Sequence, residues 1–261
     1  MQTFDTTAPI AAVLAVPAGR VRLIAADRAD TTVEILPADP SKGRDVKTAE
    51  RTEVTYADGI LRIEVPKSKN GVLGTTGSIE VTVQLPAGSR VEARAAATEL
   101  RGVGRLGDVA FEGAYGPVKI DEAASLRLTA ADGDIEVGRL TGSAEVGTAR
   151  GDIRITEAGN GTVTLSTQKG DITIGAATGV SASLDAGTAR GDIRITEAGN
   201  GTVTLSTQKG DITIGAATGV SASLDAGTAY GRVTNSLRND GTPGLNIKAT
   251  TAYGDITARS L

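Results

Sequence analysis

From about residue 99 onward, apolar and polar positions alternate in short runs, and each run is broken by glycine. In Thr162–Ile174, Val163 and Leu165 share one parity while Thr162 and Thr164 take the other. Ile172 and Ile174 then return to the apolar side with Thr173 opposite. A period of two predicts strands with one buried face. Parity switches between Leu165 and Ile172, so the chain must turn a corner at Lys169-Gly170-Asp171, where glycine permits positive φ and aspartate bonds back to the backbone. Val180–Leu184 followed by Arg190–Ile195 is the next such pair of strands. Equivalent corners fall at Gly116, Gly133, Gly151, Gly170, Gly191, Gly210, Gly231 and Gly254, spaced 17 to 23 residues apart. The expected fold is all-β: a parallel, β-helix-like β-solenoid of roughly 20-residue coils, stacked about 4.8 Å apart with each glycine above the last. Apolar residues do not recur at three and four, which argues against helix. A meander of antiparallel hairpins satisfies the same turn chemistry and is the alternative topology.

The first 98 residues read as β without the period, and are expected to form an N-terminal β-rich cap over the repeats of 99–261. Asp58-Gly59, between Val54-Thr55-Tyr56 and Ile60–Val65, is a hairpin signal. Ile79–Leu85 alternates strictly before Pro86-Ala87-Gly88 ends the run. The polar tract Asp39–Glu53 is expected to be a surface excursion with one short helical turn, and Asn239–Gly244 a corner loop before closing strands at Leu245–Lys248 and Asp255–Thr257.

One repeat is exact: Gly147–Ala189 recurs unchanged as Gly187–Ala229, so 147–186 reads as duplicated in 187–226. Copies under selection only for their inward pattern drift apart. An identical copy therefore reads as a recent or engineered lengthening by two coils.

These residues carry a resemblance. Thr3-Phe4-Asp5-Thr6, Ala26-Asp27-Arg28 with Thr32-Val33-Glu34, and Gly77–Val81 leading into Leu85–Ser89 are similar to a bacterial β-strand-repeat family of unknown function named putative adhesin. The recurring Gly-Asp pairs at Gly133, Gly151, Gly170, Gly191, Gly210 and Gly254, each followed by isoleucine, extend the resemblance over nearly the whole chain. It implies a β-solenoid fold and brings no catalytic residues with it.

Composition narrows the chemistry. Aromatics are 2% of the residues, so the core must be thin and aliphatic. Lys and Arg number 27 against 31 Asp and Glu, which leaves no basic field for nucleic acid or for an anionic membrane surface. Neither cysteine nor histidine occurs, so thiolate sites, disulfides and the usual general base are missing. No cofactor is implied, and the chain reads as a non-enzyme. Pro9–Ala18 follows Asp5 with no Lys or Arg before it, which fits a first β-strand better than an export signal, so a cytoplasmic location is expected.

Stacked corners place Asp134, Asp152, Asp171, Asp192, Asp211 and Asp255 in one carboxylate column. Asp152, Asp171, Asp192 and Asp211 are candidates for a calcium ladder, although turn formation explains them more simply and the calcium-binding nonapeptide pattern is missing. Beside them Asp132, Arg150, Lys169, Arg190 and Lys209 form a second column, with Tyr115, Tyr230 and Tyr253 at the equivalent site near the ends. Arg150-Gly151-Asp152 and Arg190-Gly191-Asp192 spell a cell-attachment tripeptide, but Lys169-Gly170-Asp171 at the same corner points to turn geometry. Outward Thr162, Thr164 and Thr173, with their copies Thr202, Thr204 and Thr213, invite an ice-binding reading, but Ser181, Ser183 and Arg194 interrupt the array and the strand preference of threonine explains it more simply. The resulting expectation is a non-catalytic scaffold or binding module for a protein or surface ligand, monomeric or an end-to-end homo-oligomer. An exported adhesin and a carbohydrate-active β-helix enzyme are the alternatives.

Overall fold

The structure is a computed structural model, described here for residues 1–66, 77–177 and 183–261; the expected tract at Val180, Ser181 and Ala182 lies outside the described residues. The chain forms two compact units, Met1–Ala131 and Asp132–Leu261. The expected limit between residues 98 and 99 falls inside a single long strand.

The first unit contains β1 (Gln2–Asp5), β2 (Ala11–Ala15), β3 (Ala18–Ala26), β4 (Asp30–Pro37), α1 (Gly43–Arg51), β5 (Glu53–Ala57), β6 (Ile60–Glu64), β7 (Ile79–Pro86), the 26-residue β8 (Arg90–Tyr115) and β9 (Val118–Asp132). The apolar stretch near the start supplies β2, the second strand rather than the first. β2 pairs in parallel with β6 on one side and with the start of β8 on the other. Likewise β3 lies parallel to β7 and to the middle of β8. Arg20 marks that order on the surface, since its guanidinium reaches Glu80 and Glu99, each at 3.1 Å. Leu14, Leu23, Leu61, Ile63, Val81 and Val83 are buried between the two ladders, as their alternation requires.

Three strand pairs here are antiparallel: β5 with β6, β4 with β7 and β1 with β4. The β5–β6 hairpin turns at Asp58 and Gly59, with φ of 51° and 75°, the left-handed pair that a tight two-residue loop demands. The tract expected to hold one helical turn is the nine-residue helix α1. Its buried Asp45 accepts a hydrogen bond from the Ser78 amide at 3.0 Å, and Thr48 accepts one from the Gly77 amide. Anchoring to the start of β7 holds this short helix, which would be marginal alone in water.

In the second unit the strands are β10 (Ile135–Leu140), β11 (Ala144–Arg150), β12 (Ile153–Ala158), β13 (Val163–Lys169), β14 (Ile172–Ala177), β15 (Ser183–Arg190), β16 (Ile193–Ala198), β17 (Gly201–Lys209), β18 (Ile212–Ala216), β19 (Ala222–Tyr230), β20 (Val233–Ser236), β21 (Leu245–Tyr253) and β22 (Ile256–Ser260). They stack in two parallel ladders. One runs β11–β13–β15–β17–β21–β19, the other β10–β12–β14–β16–β18–β22–β20. The parallel arrangement replaces the antiparallel alternative. Ile153, Ile172, Ile193, Ile212 and Ile256 stand in register and are fully buried, as are Ile155, Ile174, Ile195 and Ile214. Each such side chain contributes about 1.5–3 kcal/mol by leaving water, so the spine is held by aliphatic columns without large rings.

Chain order fails at the end of the ladder. The coil β21/β22 sits between β17/β18 and β19/β20, so Gly254, not Gly231, follows Gly210. Arg232 supplies the reason. In every preceding coil of the second unit the residue after the corner glycine is aspartate, whose Oδ1 accepts the amide of the next coil's equivalent residue; Arg232 has no such acceptor. Its own amide donates to Asp255 Oδ1 at 2.8 Å, so the Arg232 coil ends the series without an orphaned neighbour.

Candidate functional site

The second unit repeats one corner six times: a threonine, a spacer, a basic residue or tyrosine, then glycine and aspartate or, in the last coil, arginine. Each member has a separate physical task. At Gly191, φ is +152° and an added Cβ would lie 2.0 Å from the Gly170 carbonyl oxygen, so only glycine lets the corners stack this closely. The aspartates continue as a hydrogen-bonded ladder: the amides of Asp152, Asp171, Asp192, Asp211 and Asp255 donate to Oδ1 of Asp134, Asp152, Asp171, Asp192 and Asp211 at 2.7–2.9 Å.

Threonine occupies the inner side of the corner. Thr167, Thr188, Thr207 and Thr251 are buried, and each donates its hydroxyl to the glycine carbonyl of the neighbouring coil at 3.1–3.2 Å. Thr228 does the same to Gly254 at 3.0 Å, in agreement with the displaced coil order. The sequence reading attended to outward threonines and missed these. Their signal was present, since Thr167 has the parity of Val163 and Leu165, and Thr207 that of Val203 and Leu205.

Asp152, Asp171, Asp192 and Asp211, the candidates for calcium, are thus brought into one column, half-buried at Asp152 and exposed at the other three, with an oxygen of each directed at a backbone amide. Among the described residues no group of three or more acidic side chains is arranged to hold a metal ion. The adjoining column is in register as Arg150, Lys169, Arg190, Lys209, Tyr253 and Tyr230. Arg150 lies 3.7 Å from Asp132, and the rings of Tyr230 and Tyr253 stack at 4.8 Å with 4° between their planes. Tyr115 is exposed in the first unit. Both Arg-Gly-Asp triplets occupy corner positions in which the aspartate already serves the ladder. The threonine array is broken by other residues: Thr164 and Thr204 flank Asp185, and Thr173 and Thr213 flank Arg194. Ser181 lies outside the described residues.

Two concavities bear on binding. In the first unit a groove of about 590 Å³ is lined by Pro17, Val65, Pro66, Arg94, Glu112 and Ala114. Its arginine is engaged by Glu92 at 3.3 Å and Glu112 at 3.7 Å. In the second unit a depression of about 350 Å³ lies over β16, β18 and β22, between Arg194 and Arg259.

Parallel ladders, a repeated corner and an aliphatic spine define the class: a β-solenoid repeat protein. The chain belongs to the Toastrack DUF4097 family, whose model matches residues 13–260. No curated protein matches it. Among solved structures it is similar to a putative adhesin from Bacteroides fragilis, at 14% identity, 98% coverage of this chain and 95% of that chain, with a TM-score of 0.46. A putative lipid binding protein from Parabacteroides distasonis matches at 11% identity, 98% and 95% coverage and a TM-score of 0.47. A putative cell adhesion protein from Clostridium sporogenes matches at 12% identity, 100% and 98% coverage and a TM-score of 0.24.

Proposed function

We propose that the chain is a non-catalytic binding module, a β-solenoid frame that displays in-register side-chain columns to a protein or surface ligand. The observation that carries this reading is the division of labour at the corners. Buried threonine hydroxyls and the aspartate Oδ1 atoms serve the backbone of the adjacent coil. Arg150, Lys169, Arg190, Lys209, Tyr253 and Tyr230 face outward in one line at strand spacing. The frame fixes the backbone positions of this line before contact, which lowers the ordering cost of binding.

The test is capture of the purified chain on immobilised glycans and proteins, compared with a variant carrying Lys169→Ala, Arg190→Ala and Tyr253→Ala. Retention lost in the variant while its circular dichroism spectrum is unchanged supports the reading. Turnover of a polysaccharide by the intact chain would replace it with the enzyme alternative. We place the protein in the cytoplasm as part of the same proposal; recovery from the cell-surface fraction of its source would favour the exported adhesin instead.

A further inference from the structure

We infer that the depression between Arg194 and Arg259 binds a small oxyanion, such as a phosphate, sulfate or carboxylate group, and this site is independent of the column reading above. Three observations converge. The first is an internal control, because Arg154 and Arg194 occupy equivalent places in the two identical segments. Arg154 has Glu136 beside it in register and pairs with it at 3.7 Å. Arg194 has Thr173 on one side and Thr213 on the other, and makes no ion pair among the described residues. The same side chain is therefore spent on a carboxylate in one coil and left with hydroxyl neighbours in the next comparable one.

The second is convergence. Thr213 pairs with Thr257, and Gly215 pairs with Arg259, which also makes no ion pair among the described residues. Strands β16 and β22 are two ladder steps apart, about 10 Å, a gap that two arginines can bridge onto one group from opposite rims. Guanidinium groups offer planar donor pairs suited to oxyanions, and Thr196, Thr213 and Thr257 are among the residues lining the depression between them.

The third is the backbone. β16 and β14 pair without a break, whereas β16 and β18 lose register between Ile195 and Ala198. Opposite this bulge stands Gly215, where an added Cβ would lie 2.3 Å from the Thr196 carbonyl oxygen. Gly175 approaches the Thr156 carbonyl equally closely where β12 and β14 pair without a break, so the bulge is what sets this coil apart, redirecting the neighbouring groups, with the Leu261 side chain packed 3.3 Å from the Gly215 Cβ position. At about 350 Å³ the depression is at the small end of ligand pockets.

The experiment is an amide nuclear magnetic resonance titration of the whole chain with sodium phosphate, sodium sulfate or sodium glucuronate, at ionic strength held constant with sodium chloride. Saturable shifts centred on residues 194–196, 213–215 and 257–259 are expected with at least one of the three. Saturation by phosphate or sulfate alone assigns a tetrahedral ion, and saturation by glucuronate alone a carboxylate on a larger frame. Arg194→Gln and Arg259→Gln should each weaken the response at least tenfold, and Arg154→Gln should leave it unchanged. Shifts that fail to saturate, that spread over all basic residues, or that fall equally with Arg154→Gln would overturn the site.

Discussion

In four coils of the second unit a buried threonine hydroxyl, that of Thr167, Thr188, Thr207 or Thr251, holds the corner to the neighbouring coil. Thr207 is buried and donates to Gly191 in the adjacent coil. Thr207→Val keeps the shape, removes that donor, and should cost about 1 kcal/mol because the part-buried Gly191 carbonyl loses this partner. Thr207→Ser should recover most of the loss, and urea unfolding of the two variants checks the difference. Asp240 is a second residue with a defined task. It accepts from the Ser221 hydroxyl at 2.7 Å and from the amide and hydroxyl of Thr242, each at 3.0 Å, while Ser221 Oγ accepts the Asp240 amide. These bonds, that from Ser221 foremost, lower its pKa to about 2 from 3.8. A depressed carboxyl stabilises its loop fully above the unfolded value of 3.8, and that contribution fades as pH falls through about 2. Carboxyl resonances should show this low midpoint for Asp240, and Ser221→Ala should move it back toward 3.8. Alternation along Val163–Thr167 makes the inward threonine readable from the sequence, but its acceptor on a neighbouring coil has no local signal. Arg194 was visible as an interruption between threonines. Its missing carboxylate partner depends on which residue the next coil places beside it.

Among the elements, register was legible because the corners share one glycine and the strands one aliphatic parity, whereas strand direction was not, since turn chemistry alone also admits an antiparallel meander. Order was not legible, since near-identical coils fit one another equally well and spacing along the chain cannot tell a displaced coil from a sequential one. The informative letter is the residue after the glycine, aspartate at 255 and arginine at 232. The first unit has a comparable displacement, with β2/β3 lying between β6/β7 and β8 although it precedes both in the chain. At the β6/β7 end, β5 and β4 cover the ladder edges. Among the described residues β19 pairs only with β21. Leu224 and Ala226 in β19 are half-buried, where Leu184 and Ala186 at the same places in β15 are buried. Amide hydrogen exchange should therefore be slower in β21, bonded on both sides, than in β19, which lies on the edge. Equal protection of the two strands would count against the displaced order.

For the molecule as a whole, stability in a repeat fold is close to a sum of coils and of the interfaces between them. Removing residues 187–226 joins the first half of β15 to the second half of β19, restores the same parity and brings Asp171 to Asp255. The shortened chain should unfold cooperatively with a smaller denaturant slope, in keeping with less buried surface. An aggregated product would show that the excised residues are not whole coils. This chain has no cysteine, so introduced pairs report on strand neighbours without background. The stacking order is tested most directly by oxidising three double variants, Lys209→Cys with Tyr253→Cys, Tyr230→Cys with Tyr253→Cys, and Lys209→Cys with Tyr230→Cys. Adjacent in-register positions about 4.8 Å apart fall within disulfide reach, and positions two strands apart do not. The ladder β17–β21–β19 predicts rapid bridging in the first two variants and none in the third. Bridging of positions 209 and 230, with none between 209 and 253, would contradict it and restore the order of the chain.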